Sequence, residues 1–196
     1  SEPVRVTSTT DRDIAGFFWK DNNIYYLKDN EGDENYHIYS SSFNGAEEKD
    51  LTPYPNVVVY PADYLKDVQD EILIQMNKED ATVFDVYKLN VKTGETKLVA
   101  KNPGNIGGWL TDSNGQVRLA LETDGVVGTI LYRETEEDEF KPFISIDAGD
   151  TVSPLGFSKD NQFIYALSNK GRDKIELVKY DLKGNEEVIF SNPNVD

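Results

Sequence analysis

A serine nucleophile of the hydrolase type needs a sharp Gly-x-Ser-x-Gly elbow and a histidine to take its proton. Ser158 follows Gly156 with Phe157 between them, but Asp160 stands where the second glycine belongs. Its neighbours Lys159, Asp160 and Asn161 read as a hairpin turn. His37 is the single histidine of the chain. It lies between Tyr36 and Ile38 and reads as a packing or hydrogen-bonding strand residue. No catalytic residue is therefore expected within these residues. Cysteine is absent, which excludes disulfides, thiolate metal sites and cysteine catalysis. One histidine without cysteine makes no zinc set.

Carboxylates are the remaining chemistry. Asp29, Glu31, Asp33 and Glu34 crowd one loop, but a calcium loop wants alternating acids with glycine at its sixth position. Gly32 is the fourth residue counted from Asp29, so the pattern fails, and neither a metal site nor a cofactor is expected. The acidic run Glu134, Glu136, Glu137, Asp138 and Glu139 reads as a solvated, self-repelling turn. Carboxylate pairs for glycoside hydrolysis must face each other across a cleft, which spacing alone does not supply.

The elements that would position these residues repeat. Tyr39, Tyr87, Tyr132 and Tyr180 each follow a short apolar alternation, in steps of 48, 45 and 48 residues. Upstream aromatics Trp19, Tyr64, Trp109 and Phe157 step by 45, 45 and 48. Each unit runs from an aromatic segment through an Asn/Asp turn to a β-rich run: Ile24–Leu27, Ile72–Met76, Val117–Leu121 and Phe163–Leu167. The tyrosine strand follows, then a Gly-bearing hairpin turn, then a short closing strand at Leu51–Thr52, Lys97–Val99, Phe143–Ile146 or Val188–Phe190. Four short strands in a repeat of about 45 residues make a β-propeller blade. A β-sandwich is the competing architecture for such turn spacing. Residues 62–71 are the one stretch that could hold a helical turn.

The expected fold is thus all-β: a β-propeller of four four-stranded antiparallel blades, forming part of a larger propeller. The blades fall at about 13–55, 57–103, 105–150 and 152–192, with residues 1–12 as an orphan closing strand of a preceding blade. That surplus strand predicts a segment cut from a longer propeller. Open blade faces predict self-association, as a homodimer.

Charge narrows the partners. The 36 acidic residues against 20 basic ones give a net charge of −16. Such a field repels phosphate backbones and anionic lipid, so neither nucleic acid nor membrane is an expected partner. No apolar run approaches the roughly 20 residues that span a bilayer. The expected location is cytoplasmic, with the periplasm as the alternative.

Several stretches carry a family resemblance. The first unit holds Thr10-Asp11-Arg12-Asp13-Ile14-Ala15-Gly16, Tyr26-Leu27-Lys28-Asp29, Gly32-Asp33-Glu34-Asn35-Tyr36-His37-Ile38-Tyr39 and Asp50-Leu51-Thr52-Pro53. The second holds Asn77-Lys78 and Val83-Phe84-Asp85-Val86-Tyr87. The third opens with Asn102-Pro103-Gly104-Asn105-Ile106-Gly107-Gly108-Trp109. Together they resemble the N-terminal propeller of bacterial prolyl-oligopeptidase-family serine peptidases, a group that includes dipeptidyl and acylaminoacyl peptidases. The fourth unit shows only generic propeller features. The resemblance implies a C-terminal α/β-hydrolase domain, absent from these residues, that carries the triad. It also implies peptide substrates and a propeller that gates access to them. Two departures stand: too few blades, and no hydrolase domain. A stand-alone binding propeller of the periplasmic translocation type is the alternative, and a small carboxylate enzyme is a third reading.

Loops joining second to third strands gather on one face of a propeller, here residues 28–35, 77–83, 122–128 and 168–174. The first contains the candidate contact residues Asp33, Glu34 and Asn35. They could face the substrate cavity or the missing domain and hold an ammonium or an arginine by charge-assisted hydrogen bonds. The competing reading is that Asp33 and Asn35 shape a turn while Glu34 is solvated.

Overall fold

A computed structural model describes residues 5–7, 9–10, 13–43, 45 and 47–192. The strands are β1 (Gly16–Lys20), β2 (Asn23–Lys28), β3 (His37–Ser41), β4 (Glu48–Asp50), β5 (Val59–Asp63), β6 (Glu71–Asp80), β7 (Val83–Asn90) and β8 (Thr96–Ala100). They continue as β9 (Ile106–Thr111), β10 (Val117–Thr123), β11 (Gly128–Tyr132), β12 (Lys141–Ile146), β13 (Val152–Phe157), β14 (Phe163–Ser168), β15 (Glu176–Asp181) and β16 (Glu186–Phe190). Among the described residues there is no helix. The strands form four separate four-stranded sheets, each an antiparallel meander in chain order. These are propeller blades, and the all-β expectation holds.

Contacts divide the chain into two compact units, residues 1–104 and 105–196. In the first, one face of the β1–β4 sheet supplies Phe18, Tyr25 and Ile38, which bury against Val59, Ile72, Ile74 and Met76 of the β5–β8 sheet. In the second, Leu119, Ile130 and Ile144 bury against Val152, Ile164, Ala166 and Val178. Alternation makes this possible, because successive side chains of a strand point to opposite faces. On β14, Ile164, Ala166 and Ser168 are buried while Tyr165 and Leu167 are exposed.

Hairpin turns use the expected chemistry. Asp112 Oδ1 accepts the N–H groups of Asn114 and Gln116 at 2.9 and 3.0 Å. Asn90 Oδ1 and Asp181 Oδ1 do the same work in their turns. Each replaces a backbone acceptor with a side chain two to four residues upstream. Gly94 adopts φ +83, and a Cβ there would meet the Leu51 carbonyl at 3.4 Å. Its turn therefore needs glycine on both conformational and steric grounds.

Two local expectations shift. The first closing strand is Glu48–Asp50, a few residues before Leu51–Thr52. Leu51 N–H still donates to the Ile38 carbonyl at 2.8 Å. The reciprocal bond is made by the Thr52 side chain, whose Oγ1 accepts the Ile38 N–H at 3.0 Å. A hydroxyl has replaced the backbone carbonyl there, so the regular ladder stops. Residues 62–71 form the end of β5 and a tight turn in which Val68 N–H donates to the Leu65 carbonyl at 2.9 Å, rather than a helix. Of the orphan strand expected over residues 1–12, residues 5–7 and 9–10 are described and lie without strand structure, while 1–4, 8, 11 and 12 fall outside the described residues.

Candidate functional site

The link between β2 and β3 is built around Asp29, only 2% exposed. Its Oδ2 accepts the Glu34 N–H at 3.3 Å and ties the far side of the loop to its root. Glu31, Gly32 and Glu34 take left-handed backbone, with φ of 53°, 89° and 59°. Glycine reaches that region freely, whereas two glutamates there mark a loop whose path is set by its hydrogen bonds.

Asp33 supplies most of those bonds. Its Oδ1 accepts the N–H groups of Asn30 and Asn35 at 3.1 and 3.0 Å, and its Oδ2 accepts the Asn35 side-chain amide at 3.1 Å. Slight desolvation pushes the Asp33 carboxyl up, but these donors outweigh it and hold it below the usual aspartate range. Asp33 and Asn35 are thus partners of each other in shaping the turn. Glu34 differs: it is exposed, and its carboxylate makes no hydrogen bond among the described residues. The loop therefore presents Glu34, like Glu31, as an exposed carboxylate on a backbone that the Asp29 and Asp33 bonds hold in place.

Beside this loop, β2, β3 and β4 carry a row of paired charges on one sheet face. His37 Nδ1 and Asp50 Oδ2 lie 2.8 Å apart, and Lys28 Nζ reaches Glu48 at 2.9 Å. Between them the Tyr39 ring stacks on His37 and lies 4.3 Å under the Lys28 ammonium. The hydrogen bond to Asp50 raises the His37 pKa above 6.5, against opposing desolvation, and the Tyr54 backbone adds a further bond that favours the imidazolium. With these partners the imidazole is engaged as an ion-pair member, as expected for a hydrogen-bonding strand residue. Its partner was not legible, because Asp50 approaches only through the β3–β4 register in which Tyr39 pairs with Asp50.

This pair has a pH consequence. A histidine whose folded pKa lies above its unfolded value contributes stability below about pH 6.5 and loses it as pH rises through the folded value. Wild type should therefore lose about 1 kcal/mol relative to Asp50→Asn between pH 6 and 9. Urea denaturation of both proteins across that range checks it, and parallel pH profiles would remove His37 from the account.

The second acidic stretch departs from a merely self-repelling turn. Arg133, 6% exposed, donates through Nε to the Val117 carbonyl at 2.7 Å and through Nη1 to the Glu136 carbonyl at 3.1 Å. Its guanidinium lies 4.4 Å from the Phe140 ring. Glu136 Oε1 in turn accepts the Val117 N–H at 3.0 Å. Arg118, also buried, reaches Asp112, Glu134 and the Tyr132 hydroxyl. The run borders a cavity of about 490 Å³ lined by Glu134, Glu137, Asp138, Glu139 and Lys141. Among the described residues, no group of three histidine, aspartate or glutamate side chains converges to hold a metal ion. Ser158 is a turn residue: its Oγ donates to Asp160 at 2.6 Å and accepts the Phe163 N–H at 3.0 Å.

No protein-family model matches the chain. It is 28% identical over its full length to dipeptidyl aminopeptidase BIII of Pseudoxanthomonas mexicana, of which it covers 29%. The chain is a propeller segment related to the dipeptidyl peptidases. A second relative, dipeptidyl peptidase family member 6 of Caenorhabditis elegans, is 28% identical over 95% of the chain and 28% of its own length. The chain thus spans less than a third of the relatives it matches. A solved prolyl endopeptidase structure shares the fold, with TM-score 0.57 and 12% identity over 91% of this chain and 29% of that one. The resemblance to a prolyl-oligopeptidase-type propeller therefore stands, and one of its homologues is eukaryotic.

Proposed function

We propose that this chain is the propeller part of a dipeptidyl-peptidase-like serine peptidase, limiting access of large substrates and docking a C-terminal α/β-hydrolase domain that performs the chemistry. The observation that carries the reading is the alignment of the entire chain with under a third of a dipeptidyl aminopeptidase. Exclusion of bulky substrates requires only a rigid ring wall, which stacked blades supply. Within this reading Glu34 gives its carboxylate to a substrate ammonium or to an arginine of the hydrolase domain, while Asp33 and Asn35 hold it in place. Separated from its parent, the chain associates with itself through its uncovered blade faces. The location is cytoplasmic, to be checked against the periplasm by fractionation.

The test uses the full-length protein on dipeptidyl p-nitroanilides. Release of nitroaniline by the whole protein, and none by residues 1–196, is the expected result. Glu34→Ala in the whole protein should raise KM about tenfold with kcat nearly unchanged if the carboxylate holds the substrate ammonium. A loss of thermal stability with KM unchanged would assign it to domain docking instead. Unchanged kinetics and unchanged stability would exclude Glu34 from both roles. A full-length protein without a hydrolase domain would overturn the reading and leave a stand-alone binding propeller.

A further inference from the structure

Between the third and fourth sheets lies a cavity of about 430 Å³, walled by Phe143, Ser145, Lys170, Tyr180 and Glu186. The first unit has a matching place between its own two sheets, and strand register fixes the match. Glu71 and Phe163 open the second strands β6 and β14, and they pair with Asn90 and Asp181, the last residues of the third strands. Lys78 and Lys170 are each the seventh residue after those openings. Thr96 and Glu186 begin the closing strands β8 and β16, and they pair with Leu89 and Tyr180, one residue before Asn90 and Asp181. Between these strands, Gly94 and Gly184 each sit against a carbonyl of the preceding sheet's segment: a Cβ would meet Leu51 O at 3.4 Å and Phe143 O at 3.5 Å.

In the first unit the place is taken by a ring. Tyr54, which follows β4, packs against the core there. The Lys78 ammonium lies 4.2 Å from the centre of its ring, and its hydroxyl lies 2.8 Å from Thr96 Oγ1. The second unit keeps both flanking positions, as Lys170 and Glu186. Lys170 Nζ turns instead to the Ser145 carbonyl, at 2.5 Å, and the cavity opens beside it. Glu186 also changes the chemistry. A threonine hydroxyl gives or takes a hydrogen bond, whereas a carboxylate only accepts, at about four positions. The Tyr180 hydroxyl and Arg172 use Glu186 already, with Ser168 Oγ at 3.4 Å, so acceptor capacity remains.

We infer that this cavity binds a small phenol, with its ring beneath the Lys170 ammonium and its hydroxyl donating to Glu186, as a free counterpart of the Tyr54 side chain. The cation–π contact and the charge-assisted hydrogen bond supply orientation. The Phe143 and Tyr180 rings supply aromatic walls. The volume is that of a small-molecule site. This assignment goes beyond the peptidase reading and does not depend on it.

The probe is p-cresol, the tyrosine side chain as a free molecule, titrated against the full-length protein by saturation-transfer NMR. Toluene is the control without a hydroxyl. The expected result is saturable p-cresol binding with a Kd of about 1 mM and toluene binding about tenfold weaker. Glu186→Gln should weaken p-cresol about fivefold and leave toluene unchanged, because only the hydroxyl meets that position. Lys170→Met should weaken both about threefold, and it keeps the test intact if the glutamine variant fails to fold. Absence of saturable binding below about 20 mM would overturn the inference. Equal binding of p-cresol and toluene would do the same. Binding that neither substitution alters would also overturn it, by placing p-cresol elsewhere on the protein.

Discussion

Replacing Lys20 by methionine should lower the stability of the chain by about 3 kcal/mol, an effect large enough to shift the thermal midpoint by roughly 6–12 °C. Lysine is rarely this buried without a carboxylate partner. Here the ammonium is satisfied by three carbonyls: those of Tyr64 at 2.9 Å, Leu65 at 2.8 Å and Val68 at 2.7 Å. These carbonyls belong to the turn between β5 and β6, where Leu65 and Asp70 adopt φ of 45° and 61°. A backbone so arranged points its acceptors inward, and the ammonium collects all three. Methionine keeps the volume and the apolar stem but leaves three carbonyls without their donor. The cost comes mainly from those orphaned acceptors, not from lost contact area. Urea denaturation reads it. A midpoint change below about 0.5 kcal/mol would mean that water replaces the ammonium and the turn is not held by it. Asp21→Ala offers a contrast, because its single bond to the Asp70 N–H at 3.0 Å is exposed and should cost well under 1 kcal/mol.

The second large effect concerns Arg133. Arg133→Met should destabilise the second unit by about 3 kcal/mol and loosen residues 134–139. The guanidinium serves the Val117 and Glu136 carbonyls and covers the Phe140 ring. Burial lowers its pKa, opposed by Glu136, Glu139, Asp138 and Glu137. Those same carboxylates repel one another once the cation is gone. The variant's deficit should therefore shrink in 1 M salt, where the screening length falls to about 3 Å. A lost hydrogen bond alone would show no such salt recovery. Limited proteolysis at residues 134–139 gives the local reading, with faster cleavage in the variant. Equal cleavage and equal stability would show that the acidic run holds its shape without Arg133.

These two residues also mark the limit of what the sequence discloses. Residues that act within one hairpin were legible. Tyr39, Tyr87, Tyr132 and Tyr180 all lie on the third strand of their sheets, and the Asn, Asp and Ser turn positions form the bonds their types favour. Asp33 and Asn35 belong to that class, since their roles are settled over two residues. Lys20 and Arg133 could not be singled out. One is tied to acceptors more than forty residues away, and the other reaches the Val117 carbonyl only after β10 and β11 have paired. Glu34 lies between these cases. Its loop and exposure follow from the composition, whereas no described residue hydrogen-bonds its carboxylate and so none assigns it a role. Tyr64 shows how spacing can mislead. It keeps the 45-residue step yet sits just beyond β5, where its ring packs on Phe18 at 4.7 Å.

The third-strand tyrosines give the fold a built-in alkaline limit and an optical gauge of it. Burial pushes the phenols of Tyr39, Tyr87, Tyr132 and Tyr180 up to about 12. A phenol raised in the folded state favours folding below its unfolded value of about 10, and that advantage drains away as pH climbs from 10 toward 12. One such group sits in every blade. Ionisation of these four phenols below about pH 12, over and above that of the other seven tyrosines, would therefore report sheets that have opened, since closed blades keep them protonated to that point.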